Sequence, residues 1–377
     1  MPDFRFENIS VSGISTAVPS LRVDVDSFKA HFGDEAVEKF KSATGIHSFH
    51  KALDGQTASD LGFAAAEHLL TEKKINRGEI GILVFVTQSP DYGRPNTAGV
   101  LQKRLSLSQD CACFEVNLGC SGFIYGLEMA CAMLNASSSG KALLVLGETA
   151  TKVTHPNDRS TAMLYGDSGA AALLEKRPGA TEIICDLKSD GDRFDAIIVP
   201  AGGFRHPGMT RDSYIGKDGN ERTLYDVCMD GTAVFTFTIS DIPPAIKDFL
   251  AATQTTVEDY DCFSMHQANL FILKQLVKRV KIPQEKMPIT IDRYGNTGAM
   301  SVPLTLCDRY GSDAEAGAVK VLACGFGIGL SWGTASFTID RKDILPITCT
   351  DSRYNDGIIN KIFPDILPDR DTDKEEQ

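Results

Sequence analysis

Val116-Asn117-Leu118-Gly119-Cys120-Ser121-Gly122-Phe123-Ile124-Tyr125-Gly126 is the stretch on which the fold turns. On its N-terminal side, residues 112–117 read as a buried strand. On its C-terminal side, within residues 121–136, Phe123, Leu127, Ala130 and Leu134 recur at i, i+4, i+7 and i+11 and so share one helical face. A strand that breaks at small residues directly into a helix is the repeating unit of α/β proteins. Further runs rich in Val, Leu, Ile, Ala or Phe, at 81–87, 142–147, 170–174, 319–324 and 334–339, alternate with helix-like segments almost to residue 340. The fold class is therefore α/β.

Two sub-patterns look alike. One closes in Tyr165-Gly166-Asp167-Ser168-Gly169-Ala170-Ala171-Ala172-Leu173, the other in Ser331-Trp332-Gly333-Thr334-Ala335-Ser336-Phe337, a hint of internal duplication. Between them residues 190–222, rich in Gly, Pro, Asp and Arg, read as a long surface excursion. The character changes again near Arg341, and residues 364–377, where six acidic side chains outnumber Arg370 and Lys374, read as a solvated tail.

Composition removes several functions. With 38 Lys+Arg against 50 Asp+Glu over 377 residues, the net charge is −12, the wrong sign for a general nucleic-acid binder. Hydrophobic residues at 42% and charged ones at 23% fit a globular chain and exclude global disorder. No run approaches the roughly 18 apolar residues of a membrane span, and the N-terminus has no basic-then-apolar character, so the chain reads as cytoplasmic. Its ten cysteines then read as reduced thiols. With no CxxC, and only Cys111 and Cys113 close together, no metal centre is expected.

Three separated segments carry the reactive side chains. Cys120, at a strand-to-helix turn flanked by glycines, is lifted out of the sheet toward the positive end of a helix axis, where a thiolate is favoured. A buried cysteine also serves as a small hydrophobe. His266, in Phe263-Ser264-Met265-His266-Gln267-Ala268-Asn269, stands where another apolar stretch gives way to polar residues and a helix; a histidine there also suits a hydrogen-bonded structural role. Asn296 and Thr297, in Gly295-Asn296-Thr297-Gly298, read alone as turn and cap residues. Gly325-Phe326-Gly327-Ile328-Gly329 lacks dinucleotide-loop spacing and a following Lys-Ser/Thr; it suits a loop whose backbone approaches a reacting centre closely, with N–H groups for an oxyanion.

The order Cys, His, Asn also occurs in papain-like proteases, but their CGSC[WY] signature is absent. Gly166-Asp167-Ser168-Gly169 matches the serine motif of chymotrypsin-like proteases, yet the alternating α/β pattern contradicts a two-barrel fold.

Taken together, Asn117-Leu-Gly-Cys120-Ser-Gly-Phe, His266-Gln-Ala-Asn269, Gly295-Asn296-Thr297 and Gly327-Ile-Gly329-Leu-Ser-Trp332-Gly333 resemble the β-ketoacyl-acyl-carrier-protein synthase III family of the thiolase-like superfamily, over about residues 8–340. Thr44-Gly45-Ile46, Asn157-Asp158-Arg159, Met229-Asp230-Gly231 with Val234-Phe235, and Ser301-Val302-Pro303 add to the match.

The resemblance implies a duplicated five-layered α/β/α/β/α fold: a thiolase-like half over 1–178 with the nucleophile, a second over 179–340 with His and Asn, and a C-terminal extension over 341–377. It implies a homodimer, an acyl-CoA or acyl-carrier-protein donor, malonyl-acyl carrier protein as the extender, and no cofactor. Cys120 would attack the acyl thioester. Backbone N–H groups at Cys120 and near Ile328 would form the oxyanion hole, and His266 and Asn296 would donate hydrogen bonds to the enolate left by decarboxylation. Arg159, Phe235, Phe326 and Arg94 would bind substrate. An alternative on the same scaffold passes the Cys120-bound acyl group to an alcohol or amine.

The chain also departs from the family. Residues 31–43 have no counterpart of the tryptophan that stacks on coenzyme A adenine, although Arg159 is present. Phe271 replaces an arginine used for carrier-protein docking, a role that Lys274, Lys278 and Lys281 are placed to take, on one helical face, if that face is more than plain solvated surface. Arg94 replaces a phenylalanine that closes the neighbouring subunit's acyl pocket; a cation there suits a polar or carboxylated acyl group, and equally suits a side chain pointing to solvent.

Overall fold

A computed structural model describes residues 4–312 and 317–362, so the segment read as an acidic tail lies outside the described residues. Strands β1 (Phe4–Phe6), β2 (Ile9–Pro19), β3 (Ile80–Val86), β4 (Ala112–Val116), β5 (Lys141–Glu148), β6 (Ser168–Lys176), β7 (Ile183–Ser189), β8 (Cys262–Met265), β9 (Ala318–Gly327), β10 (Ser331–Asp340) and β11 (Thr348–Thr350) build two sheets. Their orders are β11-β2-β6-β5-β3-β4 and β1-β7-β10-β9-β8.

The duplication hinted at by the two glycine-ended strands is explicit in this topology. In the first sheet β2, β6, β5 and β3 lie side by side, joined antiparallel, antiparallel, parallel. In the second, β7, β10, β9 and β8 repeat both the order and the senses. Strand β4 has no partner in the second half. The chain ends cross over: β1 pairs with β7 in the second sheet, and β11 pairs in parallel with β2 in the first. Residues 348–350, the start of the extension, are thus part of the first sheet's edge.

Helices fill three layers around the sheets: α1 (Ala58–Glu72), α2 (Gly122–Ala136), α3 (Gly231–Ser240), α4 (Ile242–Ala252), α5 (Leu270–Val280) and α6 (Ser301–Tyr310). In β3, Ile82, Val84 and Val86 face a central core that includes residues of α2 and α6, whereas Leu83 and Phe85 face a core with α1. A third core joins α4 and α5 to Leu322, Cys324 and Phe326 on the outer side of β9. Apolar residues on both faces explain why these strands read as unbroken runs rather than alternating ones.

Helix α2 also differs from the simple amphipathic reading. Phe123, Leu127, Ala130 and Leu134 are buried, and so are Ile124, Gly126 and Cys131, because the helix is clasped between two sheets. Each Leu, Ile or Phe it buries contributes about 1.5–3 kcal/mol. The excursion over 190–222 is likewise only partly a surface feature. Phe204 and Ile215 are exposed, but Asn220 and Arg222 are buried, and Arg222 Nε donates to Asp158 at 3.0 Å. Among the described residues no helix is long and apolar enough to cross a membrane.

Candidate active site

Strand β4 ends at Val116, and a four-residue turn closed by Gly122 N–H donating to Gly119 O (2.8 Å) places Cys120 just before Ser121, the residue that caps α2. The second half meets it there. A Cβ on Gly327 would lie 2.8 Å from both Cβ and Sγ of Cys120, so only glycine lets the end of β9 come this close. Ser331 Oγ donates to Ile328 O (2.9 Å) and pairs with Ser121 Oγ at 2.7 Å, which ties this loop to the start of α2. The glycine-rich segment read as a loop is the tip of a strand up to Gly327 and a turn beyond it, and the N–H of Ile328 in that turn, with that of Cys120 itself, faces the sulfur.

The electrostatics differ from the expectation of a ready thiolate. The two N–H groups pull the Cys120 thiol down, but burial outweighs them and pushes it up to about 11, with the Glu148 carboxylate adding to the rise. Glu148 ends β5, accepts from Gln88 N–H at 2.8 Å, and is itself raised to about 7, chiefly by burial.

His266 follows β8 directly and is buried. Its Nδ1 lies 3.1 Å from Gly298 O and 3.0 Å from Ser301 Oγ, whose own hydroxyl donates to Gly298 O at 2.6 Å. Both neighbours therefore accept, which assigns the ring hydrogen to Nδ1 and leaves Nε2 as a lone pair. The ring sits edge-on to Phe326 at 5.2 Å, and burial lowers its pKa to about 4, so it is neutral near pH 7. In this tautomer Nε2 accepts while the ring is neutral and becomes the donor to substrate expected from the sequence once it has taken a proton.

Asn296 is buried and its Oδ1 accepts from Gly298 N–H at 3.0 Å, which leaves the amide NH₂ as its unspent group. Its backbone bridges to Tyr165, so the strand-like segment before β6 and the loop before α6 lie side by side.

Cys120, His266 and Asn296 line one cavity of about 710 Å³, together with Ile328, Phe326 and Phe235. Phe235 is 44% exposed and stacks obliquely on Phe271, 5.8 Å away. Arg159 and Arg94 do not line this cavity. Both are exposed, and Arg94 lies over the Phe204 ring at 5.7 Å. Ile197, Val199 and Ala201 of the excursion form part of the wall, which explains why that segment is not free in solvent. Lys274 and Lys278 are exposed on α5, but Lys281 caps the helix in a left-handed conformation and leaves the row.

Among the cavity residues that received no role from the sequence are Gln88, Glu148 and Tyr165. A signal was there, since Gln88 and Glu148 directly follow the apolar runs 81–87 and 142–147, and in α/β sheets sites gather at strand ends.

Comparison with known proteins bears on the family and the fold. Residues 114–191 match the family model described as 3-oxoacyl-[acyl-carrier-protein] synthase III, and residues 250–339 match the model of its C-terminal part. A β-ketoacyl-[acyl-carrier-protein] synthase III of Streptococcus sanguinis is 32% identical over 331 residues, covering 87% of this chain and 98% of that protein. One from Xanthomonas campestris is 33% identical over 305 residues, 80% of this chain and 90% of its own. The crystal structure of a 3-oxoacyl-(acyl-carrier protein) synthase from Burkholderia xenovorans superposes with a TM-score of 0.84 at 32% identity, covering 92% of this chain and 98% of that one.

Proposed function

This chain belongs to the 3-oxoacyl-[acyl-carrier-protein] synthase III family, and from that premise we propose how its residues divide the reaction. It is a condensing acyltransferase of the β-ketoacyl-acyl-carrier-protein synthase III type. Cys120 Sγ attacks the carbonyl carbon of an acyl thioester carried by coenzyme A or a carrier protein. The bond to the donor sulfur breaks, and the thiol proton passes to the departing thiolate through the free Nε2 of His266. The Cys120 and Ile328 N–H groups hold the oxyanion of the tetrahedral intermediate.

Malonyl-acyl carrier protein then enters. Loss of CO₂ leaves an enolate, which the NH₂ of Asn296 stabilises as its charge develops, and the carbanion displaces Cys120 as a thiolate, which takes a proton from solvent, to give the ketoacyl product. The observation that carries this reading is the convergence of thiol, imidazole and carboxamide, from chain positions 120, 266 and 296, on one cavity.

The same reading makes the protein a homodimer. In support, Phe114 is 39% exposed on the edge strand β4, and Phe204, beside Arg94, is 86% exposed. Substrate contact by Arg94 then belongs to a neighbouring subunit's cavity.

The test uses a radiolabelled acyl donor. Label is expected on Cys120, and is expected to move into a ketoacyl product only when malonyl-acyl carrier protein is added. Labelling that never yields product rejects condensation.

A further inference from the structure

Beside the Asn296 amide and His266 Nε2, which the reaction uses, the cavity wall holds a polar group that makes no hydrogen bond among the described residues. Thr44, Gln88, Asn117, Ser160 and Thr238 line the cavity, and each spends its side chain on a hydrogen bond: Thr44 and Thr238 donate to backbone carbonyls of their own helices, Gln88 Nε2 donates to Asn117 Oδ1, and Ser160 donates to Asp158. Tyr165 lines the same cavity and is partly open to it, yet its hydroxyl makes no hydrogen bond among the described residues. The ring is not free to turn away. It packs against the apolar cluster that contains Phe49, Phe326 and Leu330, and its backbone is clamped by Asn296 N–H donating to Leu164 O (2.9 Å) and Gly166 N–H donating to Asn296 O (3.0 Å).

Tyr165 also sits near the reacting end. It is held beside Asn296, and negative charge on Cys120 is felt at its hydroxyl, which burial and that charge keep protonated. A phenol kept protonated is a donor in waiting. An acyl chain that fills the cavity strips water from this hydroxyl, and a donor buried without an acceptor costs free energy, so such a group discriminates strongly between ligands that supply an acceptor and ligands that do not.

We propose that Tyr165 is a specificity residue, donating a hydrogen bond to an oxygen substituent (hydroxyl or keto) near the thioester end of the acyl group on Cys120. The preferred primer is then an oxygenated acyl chain rather than a plain alkyl one. This rests on the reading of Cys120 as the acyl carrier.

The experiment measures mass gain on the intact chain with butyryl- and 3-hydroxybutyryl-pantetheine, which differ by one hydroxyl. The wild type is expected to acylate about tenfold faster with the hydroxylated thioester, and Tyr165→Phe to remove that preference by slowing the hydroxylated donor alone. Retained butyryl transfer in the variant shows that it is folded. A wild-type ratio of one or less, or an equal loss with both donors, overturns the proposal while leaving the acyl-Cys120 reading intact. No mass gain with either donor overturns both.

Discussion

The two halves of the molecule share four strands in the same order and sense, yet they deliver different chemistry at the cavity. In the first, β4 runs straight into Cys120 and α2. In the second that strand is missing among the described residues, and the chain from α5 to α6 passes through short helical turns, with Asn296 between the last two of them. The strand that does have a counterpart, β3 in one half and β8 in the other, ends in Gln88 territory on one side and at His266 on the other. Helices α2 and α6 share the central core, so the segments that precede them meet. Duplication explains why the reactive groups converge; the lost strand explains why they are not alike.

The environments differ in the same way. The thiol of the first half is faced by its own N–H, by the second half's Ile328 N–H and by a carboxylate, and burial drives it up to about 11. The second buries its imidazole edge-on to Phe326 and drives it down to about 4. At pH 7 both groups are neutral, so the resting pair is thiol and imidazole rather than thiolate and imidazolium.

The largest expected effect comes from the loop that replaces the lost strand. Asn296→Asp keeps the acceptor that Gly298 N–H uses and exchanges the NH₂ for a charged oxygen. Ketoacyl formation is expected to fall about 10²–10³-fold, the range for losing an oxyanion donor, while acylation of Cys120 stays within about threefold. Rapid-quench measurement separates the two steps. Equal losses in both break the assignment of Asn296 to the second one.

Next is the contact where the halves touch. Gly327→Ala puts a methyl 2.8 Å from Cys120 Cβ and Sγ, and the overpacking costs about 1–3 kcal/mol of stability. Displacing the sulfur by a fraction of an ångström is expected to slow acylation about 10²-fold, and thiol alkylation should slow with it. Unchanged alkylation would mean that β9 does not press on the nucleophile.

How much of this was legible follows from the same contrast. The central strands announced themselves, because both of their faces are buried and 81–87 or 142–147 read as unbroken apolar runs. Strand β11, with Thr348, Cys349 and Thr350 at a sheet edge, has no such run, and its pairing with β2 depends on a partner more than 300 residues away in the chain. Cys120 was marked by its turn. His266 and Asn296 carry no local sign that distinguishes them from a structural histidine and a cap residue, and they gain one only as a set with Cys120. Tyr165 was quoted within a motif, but a missing hydrogen bond is a property of three-dimensional surroundings that no spacing encodes.

The smallest effect tests whether the two halves are tuned by charge. Glu148 raises the Cys120 thiol only when ionised, and its own pKa is about 7. Below that pH the carboxyl is neutral, and Glu148→Gln is expected to alkylate with iodoacetamide at the wild-type rate. Above it, the wild type gains a negative charge beside the sulfur and the variant does not. The variant's thiol pKa is then the lower of the two, and alkylation at pH 8 is expected to run about threefold faster, since one pKa unit of relief would give tenfold at most. A ratio that stays flat from pH 6 to pH 9 would show that the thiol is raised by burial alone.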